Sequence, residues 1–477
     1  LVYFRQLFYK GLIMALSVVI LAAGKGTRMQ SSLPKVLHPI GGVPMVQRII
    51  NTVNKLGSDP IKPIKIDSIN LVYGHGADLL KTALSDNTLN WCLQAEQLGT
   101  GHAVQQAAEF INPQDDVLVL VGDAPLIKAE TLRKLYAVKA NADVALLTVD
   151  LADPTGMGRI IRDASGDNIT AIVEHKDATD AQREIAEINT GVMILNGADL
   201  LGWLDGLENN NAQGEFYLTD VIAMAAAQGK SIHSAQPESA VEVEGVNNRV
   251  HLAKLERALQ LENAQQAMLA GATLADPARF DVRGDLTVGN DVFIDVNCVF
   301  EGTVTLGNNV RIGQNCLLQN CTVAHDTVIE ANSIIQEAQV GEACQVGPYA
   351  RLRPGSVLSK KAKVGNFVEM KKTTLGEGAK ANHLTYLGDA IVGANANIGA
   401  GTITCNYDGV NKSQTIIGAN AFIGSNSSLV APVSIGDTAT IGAGSVVTKD
   451  VEDNALAIAR AKQRHLTGWE RPTKKMT

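Results

Sequence analysis

Two glycines, two cations and one carboxylate form the first chemically suggestive group in this sequence. Gly24 and Gly26 lie in the run Leu21-Ala-Ala-Gly-Lys-Gly-Thr-Arg-Met29, and Pro34-Lys35 follows closely. A glycine loop directly after a strand lets backbone N–H groups approach phosphate oxygens. The loop is not the dinucleotide fingerprint, because Met29 stands where a third glycine belongs, and it lacks the Walker A gap. Arg28 and Lys35 suit the screening of a triphosphate while its α-phosphorus is attacked. The competing reading is a strand-to-helix turn with two solvated basic residues.

Farther on, Val121-Gly-Asp-Ala-Pro-Leu126 sets Asp123 at the end of the most hydrophobic strand. A hard divalent cation such as Mg²⁺ takes carboxylate oxygen and bridges phosphates. An acid just before Pro125 also suits a helix N-cap, and that alternative stands. The run Gln94-Ala-Glu-Gln-Leu-Gly-Thr-Gly-His102 is a second glycine-rich turn, whose donors and Gln94 amide could read a base edge. Gly156-Met-Gly-Arg159, Glu174, Asn189-Thr-Gly191 and Val246-Asn-Asn248 offer polar groups for sugar hydroxyls and a second metal contact. In the C-terminal part, His383 is an imidazole that titrates in the range useful for taking a proton from an attacking amine. A lone histidine is more often structural, so spacing alone leaves both roles open. Arg353 and Lys371 are cations suited to a sugar phosphate, and Tyr386, Asn397, Asn406 and Tyr407 add hydroxyl and amide contacts.

These residues need two kinds of scaffold. From Ile417 an aliphatic residue returns every sixth position, at Ile423, Leu429, Ile435, Ile441 and Val447; Val346, Leu352, Leu358, Val364 and Met370 do the same earlier. A small residue or valine often follows four places on, as at Ala421, Ser427, Val433, Ala439 and Ser445. That period fits neither a helix nor an alternating strand, but fits a coil whose wall is one short strand and one turn. The expectation is a parallel β-helix, each coil burying its apolar face against the next. Lys380–Asp389 and Thr404–Ile416 break the period and are expected to be loops pushed out from regular coils.

Ahead of this, strand and helix patterns alternate to about residue 230. Ser17–Leu21, Ile69–Tyr73, Val117–Val121, Val144–Val149 and Val192–Leu195 read as buried parallel strands. Pro44–Lys55, Ala77–Leu84, His102–Phe110 and Glu130–Val138 read as helices, giving a doubly wound α/β sheet with ligands outside the strands' carboxyl ends. A helix from about Asn248 to Leu269 carries the chain onward, its end marked by Asp276-Pro277. The expected division is 14–247 for the α/β domain, 248–271 for the linker helix, 272–451 for the β-helix and 452–477 for a tail without hexads. Met14 reads as the start, with 1–13 an upstream extension.

Among 477 residues the net charge is −8, and no basic stripe is present to neutralise nucleic-acid phosphates. No stretch is long enough to span a bilayer. Cys298, Cys316 and Cys344 fall on small-residue slots of the hexads, which suits buried thiols in a reducing cytosol better than disulfides or metal.

The strings LAAGKGTRM, LPKVL, QAEQLGTGHA, GDAPLI, DPTGMGRI, IVEHKDA, EINTGV and EGVNNR resemble the sugar-1-phosphate nucleotidyltransferases. Continuation into RLRPGS, GNFVEMKK, NHLTYLGDA and GAGTITCNYDG narrows the resemblance. It is to the bacterial bifunctional N-acetylglucosamine-1-phosphate uridyltransferase and glucosamine-1-phosphate acetyltransferase family, over nearly everything from about Ala15 to the end. The resemblance implies a Rossmann-like nucleotidyltransferase domain and a left-handed parallel β-helix of hexapeptide repeats. Leu21, Ala22, Ala23, Gly24, Gln94, Gly99 and Thr100 would hold the uridine nucleotide, with Arg28 and Lys35 on its phosphates. Asp123 and Asn247 would bind Mg²⁺, and Gly158, Glu174 and Asn189 would hold N-acetylglucosamine 1-phosphate. His383 would be the base for acetyl transfer. Arg353, Lys371, Tyr386 and Asn397 would bind glucosamine 1-phosphate, and Ala400, Asn406, Tyr407, Ser425, Ala443 and Arg460 would contact acetyl-coenzyme A. A cytoplasmic homotrimer is implied too, with the acetyl site at a subunit seam and the tail, with Trp469, across it.

Two other readings stay open on sequence grounds. In one the β-helix only regulates or assembles a nucleotidyltransferase, which the His383–Tyr386 and Asn406-Tyr407 stretches speak against. In the other both domains are a non-catalytic scaffold, which the intact Arg28, Lys35 and Asp123 speak against. Ser58–Ser68 and Arg162–Asn168 read as a lengthened loop and hairpin turn outside the matched strings.

Overall fold

The computed structural model describes residues 15–84 and 88–474, so the expected start at Met14 and the stretch before it lie outside the described residues. The chain divides into two units, cut between Leu259 and Gln260. In the first, seven strands run in the order Ile232–Ala235, Val144–Asp150, Glu187–Asn196, Asp116–Val121, Leu16–Ala22, Ile66–Tyr73, Leu89–Leu93. Val18, Val19 and Ile20 are fully buried in succession, as expected of a strand covered on both faces. Helix Met45–Gly57 turns Ile49, Ile50, Val53 and Leu56 inward at helical spacing.

One direction is corrected. Val192–Leu195 lies in strand Glu187–Asn196, which runs antiparallel to both neighbours. A strand buried on both faces shows the same apolar run whichever way it points, so the pattern carried burial but not direction. The connection reveals the difference: a hairpin, Arg159–Arg162 with Ile169–Val173, replaces a crossover helix ahead of that strand.

The second unit is a stack of coils, each adding one short parallel strand to each of three ladders. Val346 pairs with Val364, Val364 with Ala381, Ala381 with Ile398 and Ile398 with Ile423. The aliphatic anchors from Ile417 to Val447 are all buried, and Ser427 and Ser445 beside them donate to the Gly424 and Gly442 carbonyls. Cys298, Cys316 and Cys321 are buried free thiols whose pKa burial pushes up to about 12, 11 and 12. They act as small hydrophobes.

The open end of the solenoid is closed by Gln260. Its amide accepts from the Val282 N–H at 2.7 Å and donates to the Val282 carbonyl at 2.9 Å, standing in for a missing neighbouring strand. Three expectations change in this unit. The long helix ends at Leu269, and Asp276-Pro277 instead starts a short 3₁₀ turn, with Asp276 accepting from the Ala278 N–H. Lys380–Asp389 is regular wall, in strands Lys380–His383 and Tyr386–Gly388. It read as a break because the anchor there is the small Ala381 and because Leu387 to Val392 is a five-residue step. The wall also passes residue 451: Leu456–Ala457 pairs with Thr440–Ile441, and Val446 N–H donates to the Ala459 carbonyl. Residues 406–414 do leave the wall, between strands Ile403–Cys405 and Thr415–Ile417. No helix among the described residues is long and apolar enough to cross a membrane.

Candidate active sites

Three strands of the first unit deliver three loops at their carboxyl ends, and the loops meet. Leu21, Ala22, Ala23, Gly24 and Lys35 come from the first, Gln94, Gly99 and Thr100 from the second, and Asp123 from the third. Together they line one cleft of about 270 Å³. Gly26 has a φ of 59°, and a Cβ there would lie 2.6 Å from the Lys35 Cβ. Glycine therefore lets the loop fold back onto the lysine stem.

The cations Lys35 and Arg28 both have polar partners. Lys35 Nζ lies 2.5 Å from Asp123 Oδ2, with both side chains mostly buried. Arg28 Nη2 donates to Asn247 Oδ1 at 2.8 Å. Asn247 is held near Asp123 because the Val246 N–H donates to the Asp123 carbonyl at 2.9 Å. The N-cap alternative for Asp123 falls away: the next helix begins at Ala129, with Lys128 in the cap position. Asp123 and Asn247 offer one carboxylate and one amide oxygen, a sparse hard-donor set. Mg²⁺ takes such a set, since it fills its remaining positions with phosphate oxygens and water.

Gly158, Glu174 and Asn189 also converge. The Asn189 N–H donates to the Gly158 carbonyl at 2.9 Å, and a Cβ on Gly158 would sit 3.4 Å from Glu174 Oε1. Burial raises the Glu174 pKa, opposed by the Thr219 hydroxyl donating to it and reinforced by nearby Asp177, Asp220 and Glu215. Arg159 does not join them. It is 1% exposed, and its guanidinium donates to the Met157 and Arg183 carbonyls, bracing the loop that carries Gly158. Its burial could not be read from a glycine-flanked arginine. Glu215, which lines the cleft, was not singled out either.

On the solenoid the expected residues fall into columns. Asn366 pairs with His383, and the Gly401 N–H reaches the His383 carbonyl. One coil on, the Asn426 N–H donates to the Ala400 carbonyl, and then the Gly444 N–H to the Ser425 carbonyl. Arg460 Nη1 donates to the Ala443 carbonyl at 2.7 Å. His383, Ala400, Ser425, Ala443 and Arg460 thus descend one edge of the coils, covering roughly 20 Å at the usual strand spacing. His383 is exposed, and its Nδ1 lies 2.8 Å from Asn366 Oδ1. An amide oxygen can only accept, so Nδ1 carries a proton, and in the neutral ring the lone pair is on Nε2.

A second column holds cations. Arg353 donates to Glu369 at 2.7 Å, and Lys371 pairs in register with Gly388. A Cβ at Gly388 would strike the Tyr386 hydroxyl at 2.5 Å and Asn406 Nδ2 at 2.8 Å, so these side chains share one spot. The Lys371 ammonium is held below its ordinary pKa, first by Lys412 and then by Arg353. Tyr407 bridges to Lys412 within the 406–414 excursion. Asn397 stands on the ladder of His383, opposite Lys380, rather than with the Lys371 group. Lys412 and Asn366 were missed. Lys412 lay inside an expected loop, and Asn366 sits one coil before His383, a relation visible once the coil length is known.

Three family models match the chain: the MobA-like NTP transferase domain at residues 18–186, the GMPPB C-terminal domain at 282–365, and the hexapeptide repeat of succinyl-transferase at 414–449. A crystal structure of UDP-glucose pyrophosphorylase complexed with UDP-glucose superposes with a TM-score of 0.42 at 16% identity, covering 52% of this chain and 98% of that one. The Bifunctional protein GlmU of Pseudoalteromonas atlantica is 70% identical over 461 residues, 97% of this chain and 100% of that protein. With a nucleotidyltransferase domain at one end and acyltransferase hexads at the other, this chain is a two-activity enzyme, a uridyltransferase and an acetyltransferase, and it belongs to the bifunctional GlmU family.

Proposed function

We propose that the solenoid edge around His383 transfers acetyl from acetyl-coenzyme A to glucosamine 1-phosphate. The cleft of the first unit then joins N-acetylglucosamine 1-phosphate to UTP. Arg353, Lys371 and Lys412 hold the sugar phosphate, and His383 Nε2 takes a proton as the amine attacks the thioester carbonyl. The new N–C bond forms, the C–S bond breaks, and the thiol leaves with a proton. Coenzyme A lies along the column from Ala400 to Arg460, whose length suits an extended ligand.

In the cleft, Gln94, Gly99 and Thr100 take the uracil, and the loop from Leu21 to Gly24 approaches the nucleotide. Gly158, Glu174 and Asn189 fix the sugar so that its phosphate oxygen attacks the α-phosphorus in line. Arg28 and Lys35 neutralise the charge that builds on departing pyrophosphate, with no covalent enzyme intermediate. Mg²⁺, held by Asp123 and Asn247, would supply further charge neutralisation across the phosphates.

The reading extends to a cytoplasmic homotrimer that feeds peptidoglycan and lipopolysaccharide synthesis. Tyr349, Phe367 and Leu384, all exposed by more than half, stand at successive corners beside His383 and suit cover by a second copy. Unpaired buried thiols suit a reducing compartment.

The observation that carries this reading is the accessible His383 imidazole on a solenoid whose other ladder brings Lys371 and Lys412 together, in a unit separate from the phosphate cleft. The test supplies glucosamine 1-phosphate, acetyl-coenzyme A, UTP and Mg²⁺ and follows thiol and pyrophosphate release. His383→Ala should cut thiol release by roughly 10²- to 10⁴-fold. Pyrophosphate release from N-acetylglucosamine 1-phosphate should survive. Loss of both in a folded variant would refute independent sites.

A further inference from the structure

Gln94 is 3% exposed and lines the nucleotide cleft, at the end of strand Leu89–Leu93. Its Nε2 lies 3.0 Å from the Gly99 carbonyl oxygen and 3.2 Å from His102 Nδ1. A backbone carbonyl can only accept, which settles which end of the amide faces it. With one amide hydrogen on Gly99, the other points to His102, whose Nδ1 must then be the bare, accepting nitrogen with the ring proton on Nε2.

Gly99 is itself pinned. Its φ is 115°, and a Cβ there would meet the Phe216 carbonyl oxygen at 2.5 Å and the Phe216 nitrogen at 2.8 Å. The Phe216 N–H donates to the Leu98 carbonyl, and the Gly101 N–H to the Phe216 carbonyl. The Gly99 acceptor therefore cannot follow Gln94 if the amide turns. Both Gln94 hydrogens are spent on the protein, while Gln94 Oε1 accepts from no protein donor among the described residues.

We infer that His102 is a positioning residue for base selection. By taking the second amide hydrogen it locks Gln94 with its carbonyl oxygen as the only group offered to the nucleotide. Uracil presents an N3–H donor on its pairing edge and cytosine a bare N3 acceptor at the same place. A locked acceptor welcomes the first and repels the second. A freely turning amide would serve either base. The inference rests on the proposed reading of Gln94 as the base-contacting side chain.

The experiment measures kcat/KM for UTP and for CTP with N-acetylglucosamine 1-phosphate in the full chain, with acetyl transfer as a check on folding. His102→Leu removes the acceptor and leaves an amide hydrogen unsatisfied in a buried place. The UTP-to-CTP preference should fall about tenfold, through loss on UTP. His102→Asn, whose side-chain oxygen can accept in place of Nδ1, should restore much of it. Equal losses on both nucleotides, or an unchanged ratio, would overturn the role of His102. Gln94→Ala separates the two layers. If it collapses the preference while His102→Leu does not, only the positioning role fails; if it leaves the preference intact, the reading of Gln94 fails and the inference with it.

Discussion

The two units build their sites by opposite means. In the first, residues distant in sequence converge: Gly24, Gln94 and Asp123 ride on loops whose placement depends on strand order across a whole sheet. In the solenoid, His383, Ala400, Ser425 and Arg460 are brought into line by repetition, each fixed chiefly by its neighbouring coils. Charge is handled differently as well. Lys35 is met by the Asp123 carboxylate and Arg28 by the neutral Asn247 amide, whereas Lys371 faces Lys412 and Arg353 with its own pKa depressed. At Lys35 the convergent site holds a cation in balance before substrate arrives. The open edge leaves positive charge for the ligand to neutralise.

Removing a charge from the balanced site should therefore be the more damaging change. Asp123→Asn takes away the carboxylate proposed to hold the metal and leaves Lys35 without its partner in a largely buried place. Pyrophosphate release should fall by at least about 100-fold and need more Mg²⁺, with thiol release unchanged. A loss of less than tenfold with an unaltered Mg²⁺ response would show that Asp123 is not a ligand, and that the ion pair with Lys35 is its whole purpose.

The same contrast explains what could be read from the sequence. The cleft residues were legible because glycine loops and terminal carboxylates sit at strand ends, where an α/β sheet gathers its ligands. The direction of Glu187–Asn196 was not, because burial on both faces erases it. In the solenoid the period revealed the wall but misjudged its breaks. Ala381 hid an anchor, and Leu456–Ala457 continued a ladder that its sequence no longer advertised. Lys412 and Asn366 escaped notice because their significance lies in the coil register rather than in any local string.

A milder test falls on the unbalanced cations. Lys412→Met removes the largest influence on Lys371 and should let the Lys371 pKa rise. The KM for glucosamine 1-phosphate should increase about three- to tenfold with little change in kcat, and the difference should shrink as salt is added. Uridylyl transfer should not respond. A fall in kcat at constant KM would mean that Lys412 acts on the reaction itself and not on the waiting charge.

The smallest effect should come from the corners that repetition rests on. Asn297, Asn315 and Asn332 occupy successive corners at φ of 60°, where most side chains are strained. Their amides also form a ladder, Asn297 Nδ2 donating to Asn315 Oδ1 at 3.0 Å and Asn315 Nδ2 to Asn332 Oδ1 at 3.1 Å. Asn315→Ala gives up two exposed hydrogen bonds and the residue type that tolerates a left-handed backbone, for about 1 to 2 kcal/mol. If coils depend mainly on adjacent coils, hydrogen exchange should quicken around residues 297–332 while the first unit and the His383 edge keep their protection. Acetyl transfer should then be unchanged. Exchange that quickens along the whole solenoid would show that the coils open together, and the contrast between a cooperative sheet and a stepwise stack would have to be given up.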